Sequence, residues 1–202
     1  MRAEERSAAI YFMILNTKTA NPLQFHTLHT KRLTLTLITP ETLDYIFTHF
    51  SDAQLMEFLG LDSDKALERE RYKHTNGLTT FNKKLLYFTL ADNSTGKVIG
   101  YCGYHTWYTD HNRAEMFYGL HNDAYKQQGI MTEVLSTIIP YGFNQMNLHR
   151  IEAMTATYNM ASIKTLLKFG FVQEGVLREH YLVDGVMEDS LMFSLLKRKF
   201  VL

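Results

Sequence analysis

The strongest constraint on this chain is a strand-like run that turns directly into a helix around a glycine. Ala114–Leu120 reads as a β-strand, and Tyr125-Lys-Gln-Gln-Gly-Ile-Met-Thr-Glu-Val-Leu135 opens a helix-like run just beyond it. A strand, an amide-rich loop and a helix in that order call for helices packed on a sheet. The loop also has a chemical reading. The first N–H groups of a helix have no carbonyl behind them, and the macrodipole places roughly half a positive charge at that end. Gly129 has no Cβ to hold a ligand off the backbone. Such a turn can hold a pyrophosphate-bearing cofactor. It can equally be an ordinary strand-to-helix connection, because a single glycine is a common loop feature.

Periodicity extends the pattern along the chain. Leu33-Thr-Leu-Thr-Leu37 alternates as a strand. Thr39-Pro-Glu41 supplies an N-cap, a proline for the first helical position and an acid for the first turn, which predicts a helix to about Phe50. Ser63-Asp64 opens a second helical stretch over Lys65–Leu78. Leu85–Ala91 and Lys97–Thr106 read as strands joined by the turn-rich Asp92-Asn-Ser-Thr-Gly96. The helix from Gly129 is expected to kink or end at Pro140. Arg150–Thr157 reads as a strand and the segment from Asn159 to Phe171 as a short helix with a Gly-Phe exit. Glu174–Val183 and Met187–Leu195 form a hairpin about Asp184-Gly185. The expectation is one α/β (α+β) domain over residues 26–202. It has a mixed central sheet of about seven strands with helices on both faces, and residues 1–25 form an N-terminal extension.

Composition removes several function classes. Formal net charge is zero, so no strong electrostatic hold on nucleic acid or an anionic membrane is expected. Lys197-Arg-Lys199 reads as a solvated basic end. No apolar run reaches the length of a membrane span. Ala8–Leu15 imitates a signal peptide, but Glu4 and Glu5 offset Arg2 and Arg6, and Met13 is an alternative start. Cys102 is the only cysteine, which suits a reducing cytoplasm, and its strand setting reads as a buried small residue. His26 and His29 lack a third nearby ligand, so no metal is expected from the nine histidines.

The ordered series of motifs resembles the GNAT superfamily of N-acetyltransferases. The series comprises Arg113-Ala-Glu-Met-Phe-Tyr-Gly119, Gly129 with Thr132-Glu133, Asn159-x-x-Ser162, Gly170-Phe171, Gly175-x-Leu-Arg178 and Asp184-Gly185. It runs over roughly residues 30 to 200 and is most similar to the ribosomal-protein N-terminal alanine acetyltransferases. The resemblance implies acetyl-CoA as donor, coenzyme A as product and an amine as acceptor. Cofactor holding falls to Lys126, Gln127, Gln128, Gly129, Ile130, Met131 and Thr132. The family's loop usually has a small residue where this chain has Met131. Met116, Phe117 and Tyr118 match the strand that splays from Arg150–Thr157 to admit the pantetheine arm, and their N–H groups are placed to polarise the thioester. Asn159 matches a cofactor-contacting Asn and is also a good N-cap. Ser162 matches a donor to the leaving thiolate. Many relatives carry a tyrosine where Leu166 stands, and Thr155 occupies a position where some carry a glutamate.

Glu115 is the leading general base, acting through a water, and Glu152 is the second candidate. The bland alternative for Glu115 is a strand carboxylate paired with Arg113 or a neighbouring lysine. His180 and Tyr181 are candidates for the acceptor pocket. An α-amine, with a pKa of roughly 8, is about a tenth neutral at pH 7. A lysine amine at about 10.4 carries a handicap of more than about 4 kcal/mol. This agrees with a protein N-terminus, and a small-molecule amine with a lowered pKa fits equally. The alternatives are a small-molecule amine such as a polyamine or antibiotic, and a silent acyl-CoA-binding module. No nucleic-acid or membrane partner is expected, and the chain is read as a monomer or homodimer.

Overall fold

The computed structural model describes residues 25–76 and 84–200. Nearly all of the expected N-terminal extension, and the expected helix end at residues 77–78, lie outside the described residues. Eight strands form one mixed sheet in the order β1-β2-β3-β4-β5-β6-β8-β7. They are β1 (Thr27–His29), β2 (Leu33–Ile38), β3 (Lys84–Asp92), β4 (Val98–Tyr108), β5 (Arg113–Leu120), β6 (Arg150–Ala156), β7 (Val172–Val183) and β8 (Val186–Leu196). Five helices occur among the described residues: α1 (Pro40–His49), α2 (Asp52–Leu59), α3 (Asp64–Asn76), α4 (Ile130–Asn144) and α5 (Met160–Lys168). None of them is long and apolar enough to cross a membrane. β1 and α2 are additions to the sequence-based element list.

The chain divides into two compact units. The first comprises Met1–Thr79, Leu86–Cys102 and Tyr118–Val134. Here β2 pairs antiparallel with β1 and β3, with Leu35 opposite Leu28 and Leu90. The Thr39 hydroxyl accepts the Thr42 N–H at 3.2 Å and caps α1. Ser51 and Gln54 make a reciprocal capping box on α2, and Gly60 ends that helix at φ +69°. A Cβ on Gly60 would lie 2.6 Å from the Val98 side chain, so both conformation and space require glycine there. Ile46, Leu55, Leu59 and Leu67 of these helices form a core at most 4% exposed. Each such burial contributes roughly 1.5–3 kcal/mol relative to exposure.

The second unit comprises Thr80–Leu85, Gly103–Phe117 and Leu135–Leu202. β6 pairs antiparallel with β8 over its full length, from Arg150↔Leu196 to Ala156↔Ser190. β7 and β8 meet at Asp184-Gly185, both at positive φ (48° and 85°), as a two-residue hairpin turn demands. Of the two outcomes expected at Pro140, an end to the helix does not occur, and α4 continues to Asn144. A proline inside a helix costs about 3 kcal/mol. Ile138, Ile139 and Phe143 flank it, all at most 2% exposed, and their burial offsets that cost. The Tyr104 hydroxyl donates to the Ile138 carbonyl at 2.8 Å. Gly142 makes room for it, since a Cβ there would lie 2.5 Å from that hydroxyl oxygen.

Candidate active site

In the first unit, the chain after β5 makes a single 3-10 turn, Asp123–Tyr125, and enters α4 through Lys126–Gly129. Gln127 and Gly129 both adopt left-handed backbone, at φ +60° and +72°. A Cβ on Gly129 would meet nothing within 4 Å. The glycine is therefore not demanded by protein packing. Its conformation favours glycine, and the open space above it is a cradle that a side chain would occupy. Gln127, Gln128 and Gly129 are exposed, Met131 and Thr132 half-buried, and Ile130 is anchored in the core. These residues fit a pyrophosphate at the helix start. The Lys126 ammonium lies 2.5 Å from the Asp123 carboxylate, so its charge is shared with that neighbour.

The loop is tied down by residues that sequence reading passed over. Glu133 accepts hydrogen bonds from the Thr30 hydroxyl, the Arg32 N–H and Arg32 Nε at 2.6–2.7 Å. Burial alone would raise the Glu133 pKa, but those three donors lower it. Arg32 Nη1 also donates to the Gln128 carbonyl at 3.1 Å. An acid in the first helical turn was visible in the sequence. Its partners, about a hundred positions away, gave no local signal.

In the second unit, β5 and β6 run parallel with Arg113↔Arg150, Ala114↔Ile151 and Glu115↔Glu152 in register. Among the described residues the register ends there, while β6 goes on pairing with β8 to Ala156. Met116 is buried and Phe117 half-buried, with the Phe117 ring against His105 at a centroid distance of 5.4 Å.

Glu115 stands at the last registered pair of β5 with β6 and is 9% exposed. It does not pair with Arg113, the bland alternative for that residue. Arg113 Nη1 instead donates to Glu152 at 2.8 Å, and Arg150 Nε donates to the other Glu152 oxygen at 2.8 Å. Arg150 also grips Glu174 with both terminal nitrogens, and Ser194 donates to Glu174 at 2.6 Å. Those contacts hold the Glu174 carboxyl down at about 2. Glu152, the second candidate base, therefore has both oxygens committed to guanidinium groups. Glu115 is left without an arginine partner. Burial, and then the Glu152 charge, push its pKa up to about 7. Its ionic neighbour is His105, with Nε2 3.6 Å from Oε1. No local signal marks this neighbour, because it comes from a different strand.

Asn159 caps α5, its side-chain oxygen accepting the Ser162 N–H at 3.1 Å. Ser162 is half-buried in the first turn. Leu166 is fully buried, so the position where many relatives carry a tyrosine serves the core here. His180 and Tyr181 lie on β7 with rings 4.4 Å apart. Burial, and then the charge of Glu115, raise the Tyr181 pKa, which brings Tyr181 within the electrostatic reach of the candidate base. Cys102 is fully buried, and burial pushes its thiol up, away from nucleophilic use.

Residues 32–172 match the acetyltransferase (GNAT) domain family. The chain is 33% identical to an uncharacterized N-acetyltransferase, p20, of Bacillus licheniformis, over 86% of this chain and 98% of that protein. The fold is similar to the ribosomal-protein-S5-alanine acetyltransferase from Vibrio fischeri. That match has a TM-score of 0.61 and 22% identity, over 88% of this chain and all of that one. It is also similar to a dodecameric spermidine N-acetyltransferase from Vibrio cholerae, with a TM-score of 0.59 and 22% identity, over 83% and 95% of the two chains. With a family match over most of its length and a relative 33% identical over 86% of the chain, this chain belongs to the GNAT acetyltransferases and is an N-acetyltransferase.

Proposed function

We propose that this enzyme acetylates a protein N-terminal α-amine in the cytoplasm, with acetyl-CoA as donor, residues 26–202 as the catalytic domain and Glu115 as general base. The observation that carries the reading is the isolation of Glu115: buried, free of arginine and raised to about 7. A base near 7 removes a proton from an α-amine of pKa roughly 8 against a gap of about one unit, or about 1.4 kcal/mol. Against an alkylamine at about 10.4 the gap costs more than about 4 kcal/mol.

Acetyl-CoA supplies an activated acyl group and a thiolate leaving group. The backbone of Gln127–Thr132 binds its pyrophosphate, with Lys126 adding positive charge. Backbone groups of Met116, Phe117 and Tyr118 hold the pantetheine arm and aim at the thioester oxygen. Glu115 receives the amine proton, directly or through one water. Asn159 fixes the α5 start so that the Ser162 hydroxyl can donate to the sulfur as it departs. His180 and Tyr181 line the acceptor side.

Free-thiol release from acetyl-CoA tests the reading against N-terminal peptides, spermidine and an aminoglycoside. Turnover on peptides with a free α-amine is expected, and loss of turnover when that amine is blocked. Preferential turnover on spermidine would move the acceptor to polyamines, a reading that the fold likeness to the Vibrio cholerae enzyme supports. Binding of acetyl-CoA with no turnover on any amine would make the chain an acyl-CoA-binding module.

A further inference from the structure

Glu115 is nearly enclosed, and each proton it accepts must leave before the next turnover. The groups around it are His105 from β4, Arg113 from its own strand, Glu152 from β6 and Tyr181 from β7. Arg113 is engaged by Glu152. His105 is the neighbour able to pick up a proton near neutral pH and also reach water, since its side chain is 37% exposed. Its ring is held from two sides. Phe117 stacks on it, and Nδ1 lies 2.8 Å from the Thr106 hydroxyl oxygen. Neighbouring residues of a strand normally point to opposite faces. Thr106 departs from this with φ +50°, an uncommon backbone state for a β-branched residue. A strained residue that supplies a ring's hydrogen-bond partner is a feature expected of functional sites.

We propose that His105 is the proton relay of the Glu115 site, carrying the proton from the Glu115 carboxyl to solvent, with Thr106 as the residue that sets its tautomer. This rests on the reading of Glu115 as base. In the resting ring, Nδ1–H donates to Thr106 Oγ1 and Nε2 is bare, accepting the Glu115 O–H only once Glu115 has taken up the amine proton. Once Glu115 holds the amine proton, the O–H bond breaks and an Nε2–H bond forms, giving a carboxylate and an imidazolium. The imidazolium then releases that proton to water, and the ring returns to its starting tautomer. The gap of 3.6 Å closes to hydrogen-bond length with a ring movement of roughly 1 Å. Burial lowers the His105 pKa, which speeds release to solvent.

Two measurements on the full chain test the proposal. His105→Ala should lower kcat about ten- to hundredfold with KM for acetyl-CoA within about twofold, and imidazole in the medium should restore much of the loss in a saturable manner. A ring that only packs against Phe117 would give a loss that imidazole does not repair. Either that result or wild-type turnover overturns the relay. Ring-nitrogen NMR of the native protein should show Nδ1 protonated and Nε2 bare in the neutral ring. Thr106→Val should give a tautomer mixture, and Glu115→Gln, which replaces the acid O–H facing Nε2 by an amide, should move the His105 titration midpoint. An Nε2-protonated neutral ring, or a midpoint indifferent to Glu115→Gln, overturns the proposal without any turnover data. Failure of the wild type to acetylate any amine would instead remove the functional reading, and the NMR measurements would still decide the pairing.

Discussion

Glu115→Gln should make the protein more stable and a poorer catalyst, and both effects should depend on pH. Burial and the Glu152 charge move the Glu115 carboxyl from its ordinary 4.5 to about 7. The folded protein therefore holds this proton more tightly than the unfolded chain does. The stabilisation is full below about pH 4.5 and is lost as pH climbs through 7. Above 7 the native state carries a charged carboxylate that it would rather not hold. At about 1.4 kcal/mol per pH unit the ceiling on that penalty is about 3 kcal/mol, and solvent screening at this partly open position reduces it to about 1–2 kcal/mol. Glutamine keeps the size and removes the charge. For a chain of this length, differential scanning calorimetry should find Tm of the variant raised by roughly 2–8 °C at pH 8, with the difference shrinking towards zero at pH 4.5. Turnover of the same variant should fall about a hundred- to ten-thousandfold near pH 7–8. That gap should narrow at higher pH, where an α-amine sheds its own proton. It should narrow again well below 7, where wild-type Glu115 is itself protonated. A pH-independent Tm difference, or a destabilised variant, would refute the assignment of Glu115 as a buried acid without an arginine partner.

Three further outcomes follow from the cradle, the cap and the helix notch. Acetyl-CoA at a hundred times its Kd should stabilise the wild type by about 2.7 kcal/mol in a thermal-shift titration. Gly129→Val should abolish that shift while lowering apo stability by only about 1–2 kcal/mol, since the new side chain meets backbone strain but no protein neighbour. Ser162→Ala should cost less than about 1 kcal/mol, because the cap contact belongs to the Asn159 side chain and the Ser162 backbone, yet it should slow turnover most with donors whose thiol leaves poorly. Gly142→Ala should lower stability by about 1–3 kcal/mol in chemical denaturation, with no change in cofactor affinity, because its Cβ would press on the Tyr104 hydroxyl.

Local signals made much of this fold legible, and partnerships at a distance did not. The alternation of Leu33–Leu37, the Thr39-Pro40 start, the Asn159 cap and the Asp184-Gly185 turn each act within a few residues, and each stands where the sequence placed it. α2 has only eight residues, too few for periodicity to mark, although Ser51, Gln54 and Gly60 stand at its ends. β1 spans only Thr27–His29, too short for periodicity to register. That α4 continues past Pro140 is not legible locally, because the proline penalty is local while the compensating burial of Ile138, Ile139 and Phe143 is tertiary. At the site, Glu115 could be singled out from its strand, but its freedom depends on Arg113 and Arg150 both choosing Glu152. Single-sequence reading has no means of ranking those pairings.

The Arg32–Glu133 contact has a consequence for how this enzyme can change over time. Thr30, Arg32 and Glu133 together fix the first turn of α4, and Arg32 reaches on to the Gln128 carbonyl. Loss of either charged partner leaves the other's hydrogen-bonding groups without their match, and a paired charge reversal does not restore them, because the Thr30 hydroxyl and the residue 32 N–H need an acceptor at 133 and the Gln128 carbonyl needs a donor at 32. Both positions should therefore resist substitution, singly and as a reversed pair. The same tie means that selection for tighter cofactor capture can act on the start of β2, remote in sequence from every residue that would touch the ligand.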